Sequence, residues 1–244
     1  MTAPALAYHT VSFTYAGRDA ASLHEVSLTV AAGERVALVG ANGAGKTTLL
    51  LLATGLIAPS AGRVEVEGIT VTARSLREVR RRVSLAFADP DDQLFCATAL
   101  DEVMFGLIHA GVSDTDARAR ALEALRAVDL EDRATREPLT MSLGEKKRLA
   151  LATTLAAGSR IWLLDEPTGG LDPRARKHFL AHLAAVPWTM VLATHDLDAA
   201  LSLGARVAIM DAGRLVAEGP ADTILRDGAL LEAHGLALPL SLGG

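Results

Sequence analysis

Residues 35–52 constrain the fold most. An apolar run, Arg35-Val36-Ala37-Leu38-Val39, leads through Gly40-Ala41-Asn42-Gly43-Ala44-Gly45-Lys46-Thr47 into Thr48-Leu49-Leu50-Leu51-Leu52. The first piece reads as a buried strand and the last as the opening turns of a helix. Glycine, four residues, then Gly-Lys-Thr between a strand and a helix is the spacing of a phosphate-binding loop. Its glycines let backbone N–H groups turn inward as an anion nest. The helix N-terminus adds unpaired donors and the positive end of its dipole. The expected phosphate-lining residues are Gly40, Asn42, Gly43, Ala44, Gly45, Lys46, Thr47 and Thr48. Lys46 is expected to reach the β- and γ-phosphates, and the Thr47 hydroxyl to meet Mg²⁺.

Half of the 244 residues are hydrophobic, enough for a large core in one big domain or two small ones. The net charge of −5 argues against nucleic acid as the main partner. Basic runs at Arg80-Arg81-Arg82 and Lys146-Lys147-Arg148 lie in mixed-charge helical segments and read as solvated helix faces. The single Cys96 excludes an internal disulfide and fits a reducing compartment. Met1 to Leu6 show no signal-peptide pattern. The longest apolar run, Leu49 to Ala58, is broken by Gly55 and closed by Pro59, short of the ~18 residues of a membrane span. The expectation is a soluble chain that can dock on a membrane protein.

Residues 7–30 alternate polar and apolar around the turn-like Ala16-Gly17-Arg18-Asp19 and suggest antiparallel strands in a small side sheet. From spacing alone Tyr15 reads as a strand aromatic packed on the core, although an aromatic there can also stack on a purine. Arg63 to Gly68 returns as an alternating strand, Ser75 to Arg81 as a helix and Val83 to Phe87 as a buried strand. Thr98 to Val128 has helical spacing, with Ser113 and Asp114 offering a cap. Strand signals return only at Ile161, so a helical lobe is inserted into an α/β core whose βα order predicts a mostly parallel sheet.

The strand Ile161-Trp162-Leu163-Leu164 ends in Asp165-Glu166. Downstream of a phosphate loop, Asp165 is expected to hold the Mg²⁺ and Glu166 to act as general base on the attacking water. The strand Thr189 to Thr194 ends at His195, on the strand edge where α/β ligands bind, and His195 is expected to contact the γ-phosphate.

With these residues in place, Met141-Ser142-Leu143-Gly144-Glu145-Lys146-Lys147-Arg148 resembles the signature of ABC transporter ATPases, usually Leu-Ser-Gly-Gly-Gln/Glu. Phosphate loop, signature, Asp-Glu strand end and histidine follow in the family's order, and the resemblance covers nearly the whole chain. It implies an α/β P-loop NTPase (RecA-like) fold: a mostly parallel core, an antiparallel β side sheet and an inserted helical subdomain. The implied division is 1–97 and 158–227 for the nucleotide-binding core, 98–157 for the helical subdomain and 228–244 for a short tail. It implies that Ser142, Gly144 and Glu145 bind the γ-phosphate of ATP held by a second ABC ATPase subunit, a homodimer being favoured. Gly169-Gly170-Leu171-Asp172 resembles the loop that communicates across that interface. Tyr15 falls where the family's adenine-stacking aromatic lies.

A narrower likeness runs through Phe87-Ala88-Asp89-Pro90-Asp91-Asp92-Gln93-Leu94-Phe95, Asp101 to Gly106 and Gly213 to Pro220. It is to the ATPases of energy-coupling-factor importers, including the cobalt and nickel type. This implies ATP hydrolysis at the cytoplasmic face of the cell membrane, with a transmembrane coupling subunit and a substrate-capturing membrane subunit as partners. The cargo would be a transition-metal ion or a vitamin. Two residues depart from the family pattern. Ala88 stands where the family has a glutamine that contacts Mg²⁺ and water, and Leu143 replaces the first signature glycine. Gln93 is not read as a substitute for the missing glutamine. The departures keep open a nucleotide-gated module with weak turnover; a soluble, non-transport ABC protein is the other alternative.

Overall fold

A computed structural model describes residues 3–17 and 20–242; Arg18 and Asp19 of the expected first turn, and Met1 and Thr2, lie outside the described residues. In chain order the elements are β1 (Leu6–Phe13), β2 (Leu23–Val30), β3 (Arg35–Val39), α1 (Lys46–Ala53), β4 (Ala61–Val66), β5 (Ile69–Thr70), α2 (Leu76–Val79) and β6 (Val83–Ala86). Then come α3 (Ala99–His109), α4 (Asp114–Ala127), α5 (Leu143–Ala157), β7 (Ile161–Asp165), α6 (Pro173–Ala185), β8 (Thr189–Thr194) and α7 (Leu197–Ser202). β9 (Arg206–Asp211), β10 (Arg214–Pro220), α8 (Ala221–Ile224) and α9 (Gly228–Ala233) complete the chain. It divides into two compact units: one runs to Leu85 and includes Arg160–Glu166 and everything from Pro187; the other is Ala86–Ser159 with Pro167–Val186.

The first unit carries two sheets. The alternating segments pair antiparallel in the order β2-β1-β4-β5, as the period-2 pattern predicts. The second sheet runs β10-β9-β3-β8-β7-β6. There β3 pairs parallel with both β8 and β9, and β8 with β7, while β10 returns antiparallel along β9. The middle strands read as unbroken apolar runs because a parallel sheet is covered on both faces. From Ile161 to Asp165 and from Thr189 to Thr194 every residue is buried. Trp162 is wholly buried, and a large side chain buried this way contributes about 1.5–3 kcal/mol. The last described residues fold back on the same unit: Asp198 accepts from the backbone N–H groups of Leu240 and Ser241, both at 3.1 Å, and His234 Nδ1 lies 2.9 Å from Asp211.

In the second unit α3, α4 and α5 pack on one another through Leu107, Ala121, Leu125, Leu149 and their neighbours, all buried. Each helix starts at a side-chain cap. Thr98, Ser113 and Asp172 accept from N–H groups in the first turns of α3, α4 and α6, a contact typically worth about 1 kcal/mol. α5 stops at Gly158, left-handed at φ 73°. α6 stops at Val186, ahead of Pro187. One residue of each basic run is paired with acids, and Lys147 is buried rather than on a solvated face. Arg82 meets Glu67 and Glu78, and Lys146 Nζ meets Asp91 at 2.7 Å.

Candidate functional site: a phosphate loop and a capped signature helix

In the first unit, strand register levels three chain ends. Val39 pairs with Thr194 and with Ile209, and Asp165 with Ala193. The residues that follow, from Gly40, Glu166 and His195, therefore leave the sheet at one edge. Gly40 turns the chain at φ 155°, and a Cβ there would collide with the Met210 backbone carbonyl, so only glycine fits. Gly45 ends the loop left-handed (φ 100°) as the N-cap of α1, which therefore carries no side-chain cap. The loop leaves Asn42 and Gly43 exposed and buries Ala44 and Thr48.

Lys46 is 6 % exposed, and its Nζ donates to the carbonyls of Gly40 (2.7 Å) and Ala41 (3.0 Å). Burial pulls the ammonium below the ordinary lysine range, against the charges of Glu166 and Asp165. The Thr47 hydroxyl donates to Asp165 Oδ2 at 2.8 Å. A hydroxyl and a carboxylate meeting beside a phosphate nest form a hard oxygen set that fits Mg²⁺. Glu166 sits at φ 42°, a region that costs a residue with a side chain about 1–3 kcal/mol. Its N–H bonds the Ala193 carbonyl at 2.7 Å. Its Oε2 takes His195 Nδ1 at 2.8 Å, and the Thr194 hydroxyl and His195 N–H at 3.3 Å. Tyr15 lies two residues beyond β1, half-buried, edge-to-face with Phe13 at 4.7 Å and with its hydroxyl 3.2 Å from that of Thr48.

In the second unit Ser142 is the N-cap of α5 within a capping box. Its Oγ accepts from Glu145 N (3.3 Å), and its own N–H donates to Glu145 Oε2 (2.9 Å). The Ser142 N–H, with help from Arg136 and Arg133, holds the Glu145 carboxyl below the usual carboxylate range. Gly144 has room for a methyl at ordinary contact distance. Leu143 leans away from the helix start onto Gly170, where a Cβ would lie 2.7 Å from its methyl. The bulk at the first signature position is thus accommodated against the 169–172 loop. A cleft of about 690 Å³ opens between Ser142–Arg148 and Gly170–Ala181.

Gln93 is engaged at both ends: Nε2 donates to Thr153 Oγ1 at 3.0 Å, and Oε1 accepts from Phe87 N at 3.4 Å. That use fits its exclusion as a stand-in for the glutamine missing at Ala88. Sequence reasoning gave no role to Thr194 or Glu102, and read Asp172 only as part of the interface loop, not as a helix cap. Thr194 steadies Glu166, and Asp172 caps α6 through the N–H groups of Arg174 and Ala175. Buried Glu102 takes the N–H groups of Phe95 and Cys96 at 2.8 and 2.7 Å. The Asp172-Pro173 pair was a readable helix start; an acid inside an amphipathic helix gives no such signal.

The ABC transporter family profile matches residues 23–169. The chain belongs to the ABC transporter family. Its relatives include the cobalt import ATP-binding protein CbiO of Rhodobacter capsulatus, 42 % identical over 97 % of this chain and 86 % of that one. The energy-coupling factor transporter ATP-binding protein EcfA of Carboxydothermus hydrogenoformans is 42 % identical over 90 % and 82 %. Among solved structures, CbiO1 from Clostridium perfringens, described as part of the complex CbiONQ, superposes with TM-score 0.83 at 27 % identity, covering 95 % and 94 %. A dimeric cassette, MJ0796, bound to ADP and Pi, gives 0.81 at 28 %, covering 88 % and 98 %. The chain is an ABC ATPase, most like the energy-coupling-factor ATPases, and it has the P-loop NTPase fold expected from its sequence. Among the described residues no helix is long and apolar enough to cross a membrane.

Proposed function

We propose that this ABC ATPase powers an energy-coupling-factor importer that brings a transition-metal ion, cobalt or nickel, or a vitamin into the cell. The observation that carries the membrane-motor reading is an exposed aromatic pair, Phe95 of the polar loop and Phe105 of α3. Phe95 is 67 % and Phe105 40 % exposed, their rings 4.9 Å apart. The two N–H groups on Glu102 fix that loop, and exposed Ile108 lies on the same helix as Phe105. Such a patch suits coupling helices of a membrane subunit. The names of CbiO and EcfA support the importer branch and, for CbiO, cobalt.

In this reading the N–H groups of residues 40–48 bind the phosphates of ATP, and Tyr15 packs on its adenine. Lys46 leaves its two loop carbonyls for the β- and γ-phosphates. Thr47 and Asp165 hold Mg²⁺, which when bound neutralises phosphate charge. Glu166 takes the proton of the attacking water. His195 Nδ1 meets Glu166, which leaves its Nε2 for a γ-phosphate oxygen. The Ser142 Oγ lends a lone pair to the capping box and keeps its O–H for the γ-phosphate of a second copy's ATP, with Gly144 and Glu145 beside it. The dimeric MJ0796 cassette supports two copies sandwiching two nucleotides. The complex then sits at the cytoplasmic face of the membrane.

The test is a pull-down of tagged protein from detergent-solubilised native membranes, read by mass spectrometry. A polytopic coupling subunit with a small substrate-capturing membrane protein is the expected catch, and no second ATPase if the motor is a homodimer. Ribosomal or DNA-repair proteins with no membrane subunit would overturn the importer reading.

A further inference from the structure

α6 carries His178 and His182 four residues apart, so both rings project from one face of the helix. That face meets Asp129, two residues beyond the end of α4 and left-handed at φ 55°. Asp129 Oδ2 lies 3.2 Å from His178 Nε2 and 3.4 Å from His182 Nε2. The three donor atoms all fall within 4.8 Å of one another. His178 also lines the cleft beside the signature helix, but none of the three is among the residues expected to hold phosphate or Mg²⁺.

His182 Nε2 is fully buried, yet it makes no hydrogen bond despite the nearby carboxylate oxygen. An orphaned buried nitrogen is unfavourable unless something else satisfies it. Two ligands of one metal ion have this relation, because their lone pairs point at the ion and not at each other. The distances agree. An ion holding nitrogen and oxygen at ~2.0–2.2 Å in a tetrahedron keeps neighbouring donors about 3.4 Å apart. The two histidine nitrogens lie within 4.8 Å of each other, a distance that a ring rotation on binding would shorten to the third edge. Burial lowers the proton affinity of His182, helped by His178 and Arg148 and opposed by Asp129.

We propose that Asp129, His178 and His182 form a binding site for a late first-row divalent ion such as Zn²⁺, Ni²⁺ or Co²⁺. Two imidazoles and one carboxylate select these ions over Mg²⁺ and Ca²⁺. His178 and Asp129 are more than half exposed, so solvent gives the ion a way in and water fills the remaining position. The positive charge of Arg148, whose guanidinium donates to the Val128 carbonyl at 3.3 Å, is felt at His182 and works against a dication, which keeps the affinity moderate. The bound ion ties the turn after α4 to α6. It stabilises the folded chain by mass action. The site is independent of what the transporter carries.

The test is titration of the full-length chain, free of nucleotide and Mg²⁺, with Zn²⁺ and Ni²⁺ against a chromophoric chelator, with thermal unfolding in parallel. One ion per chain and a Tm that rises with ion concentration are expected. His178→Ala and Asp129→Asn, both at exposed positions, should each weaken binding by about tenfold or more. Each should displace the Tm rise to at least about tenfold higher ion concentration while leaving the Tm in chelator unchanged, and Asp129→Asn should leave the basal ATPase rate unchanged. No uptake by the unaltered chain at micromolar ion would overturn the site. So would undiminished binding in both variants, because the ion would then lie elsewhere.

Discussion

The N-termini of α1 and α5 are both expected to hold phosphate, yet they are built in opposite ways. At α1 the N-cap is a left-handed glycine with no side-chain cap, and the nearest cation, Lys46, is folded inward onto two loop carbonyls. At α5 the cap is complete: Ser142 and Glu145 satisfy each other's N–H groups, and two arginines lean on Glu145. The first helix start leaves its positive end to a ligand, with a buried ammonium ready to join it. The second serves two of its four N-terminal N–H groups with its own side chains, and leaves a ligand those of Leu143 and Gly144 and one hydroxyl proton. A site of the first kind binds phosphate alone. A site of the second kind contributes only when another molecule presents the phosphate. This asymmetry suits a dimer whose nucleotide is loaded at the loop and completed by the partner's signature.

The largest effect should come from Lys46→Ala, which removes the buried cation of the self-sufficient site. Losing one such electrostatic contact costs on the order of 10²–10³ in rate, and here Mg·ATP affinity of the isolated chain should fall with it. Equilibrium binding of a fluorescent ATP analogue measures this. Near-normal affinity in the variant would mean that backbone donors alone make the site, and the contrast with α5 would lose its basis.

Ser142→Ala should separate the two helix starts more finely. It removes the capping oxygen, so unfolding stability should drop by about 1 kcal/mol, measured in urea. ATP affinity of the single chain should stay unchanged, while turnover in the assembled complex falls. A variant that lost ATP affinity as a monomer would show that α5 takes part in loading, against the comparison.

How much of this was legible depended on whether the information was local. Gly40 to Thr47 announced itself because tight turn, anion nest and helix start all impose residue types at fixed spacing. Asp165, Glu166 and His195 could be read because each ends an apolar run, and parallel register then brings those ends level. Leu143 was legible as a departure but not in its consequence. Where its methyl goes depends on Gly170, 27 positions later and left-handed at φ 73°. The pinning of Gln93 by Thr153 and the buried load on Glu102 were unreadable for the same reason. Their partners are set by packing, and no periodicity marks them. The Asp129–His178–His182 cluster joins residues 49 and 53 positions apart, and only the helical spacing of its histidines was visible in the chain.

The smallest effect concerns the self-capping of α5. The Glu145 carboxyl is held below its usual range, first by the Ser142 N–H and then by the arginines. Around pH 4 the folded chain therefore binds fewer protons than the unfolded chain, and stability rises with pH. The contribution is fully present above the ordinary glutamate pKa of about 4.3 and is lost as pH falls through the lowered folded value. Glu145→Gln can still accept from the Ser142 N–H, but it carries no charge for Arg133 and Arg136. Its stability should therefore trail that of the unaltered chain by under about 1 kcal/mol near neutral pH, a partly solvated pair being weak and screened by salt. The two should converge in acid. Urea unfolding from pH 7 down to about pH 2, below both the folded and unfolded values, at low and high salt, reads this directly. A gap that persisted unchanged in acid and in salt would mean that Glu145 works through its shape and hydrogen bonds. The cap of α5 would then be as neutral as the glycine that opens α1, and the difference between the two helix starts would reduce to the Ser142 hydroxyl and the buried Lys46.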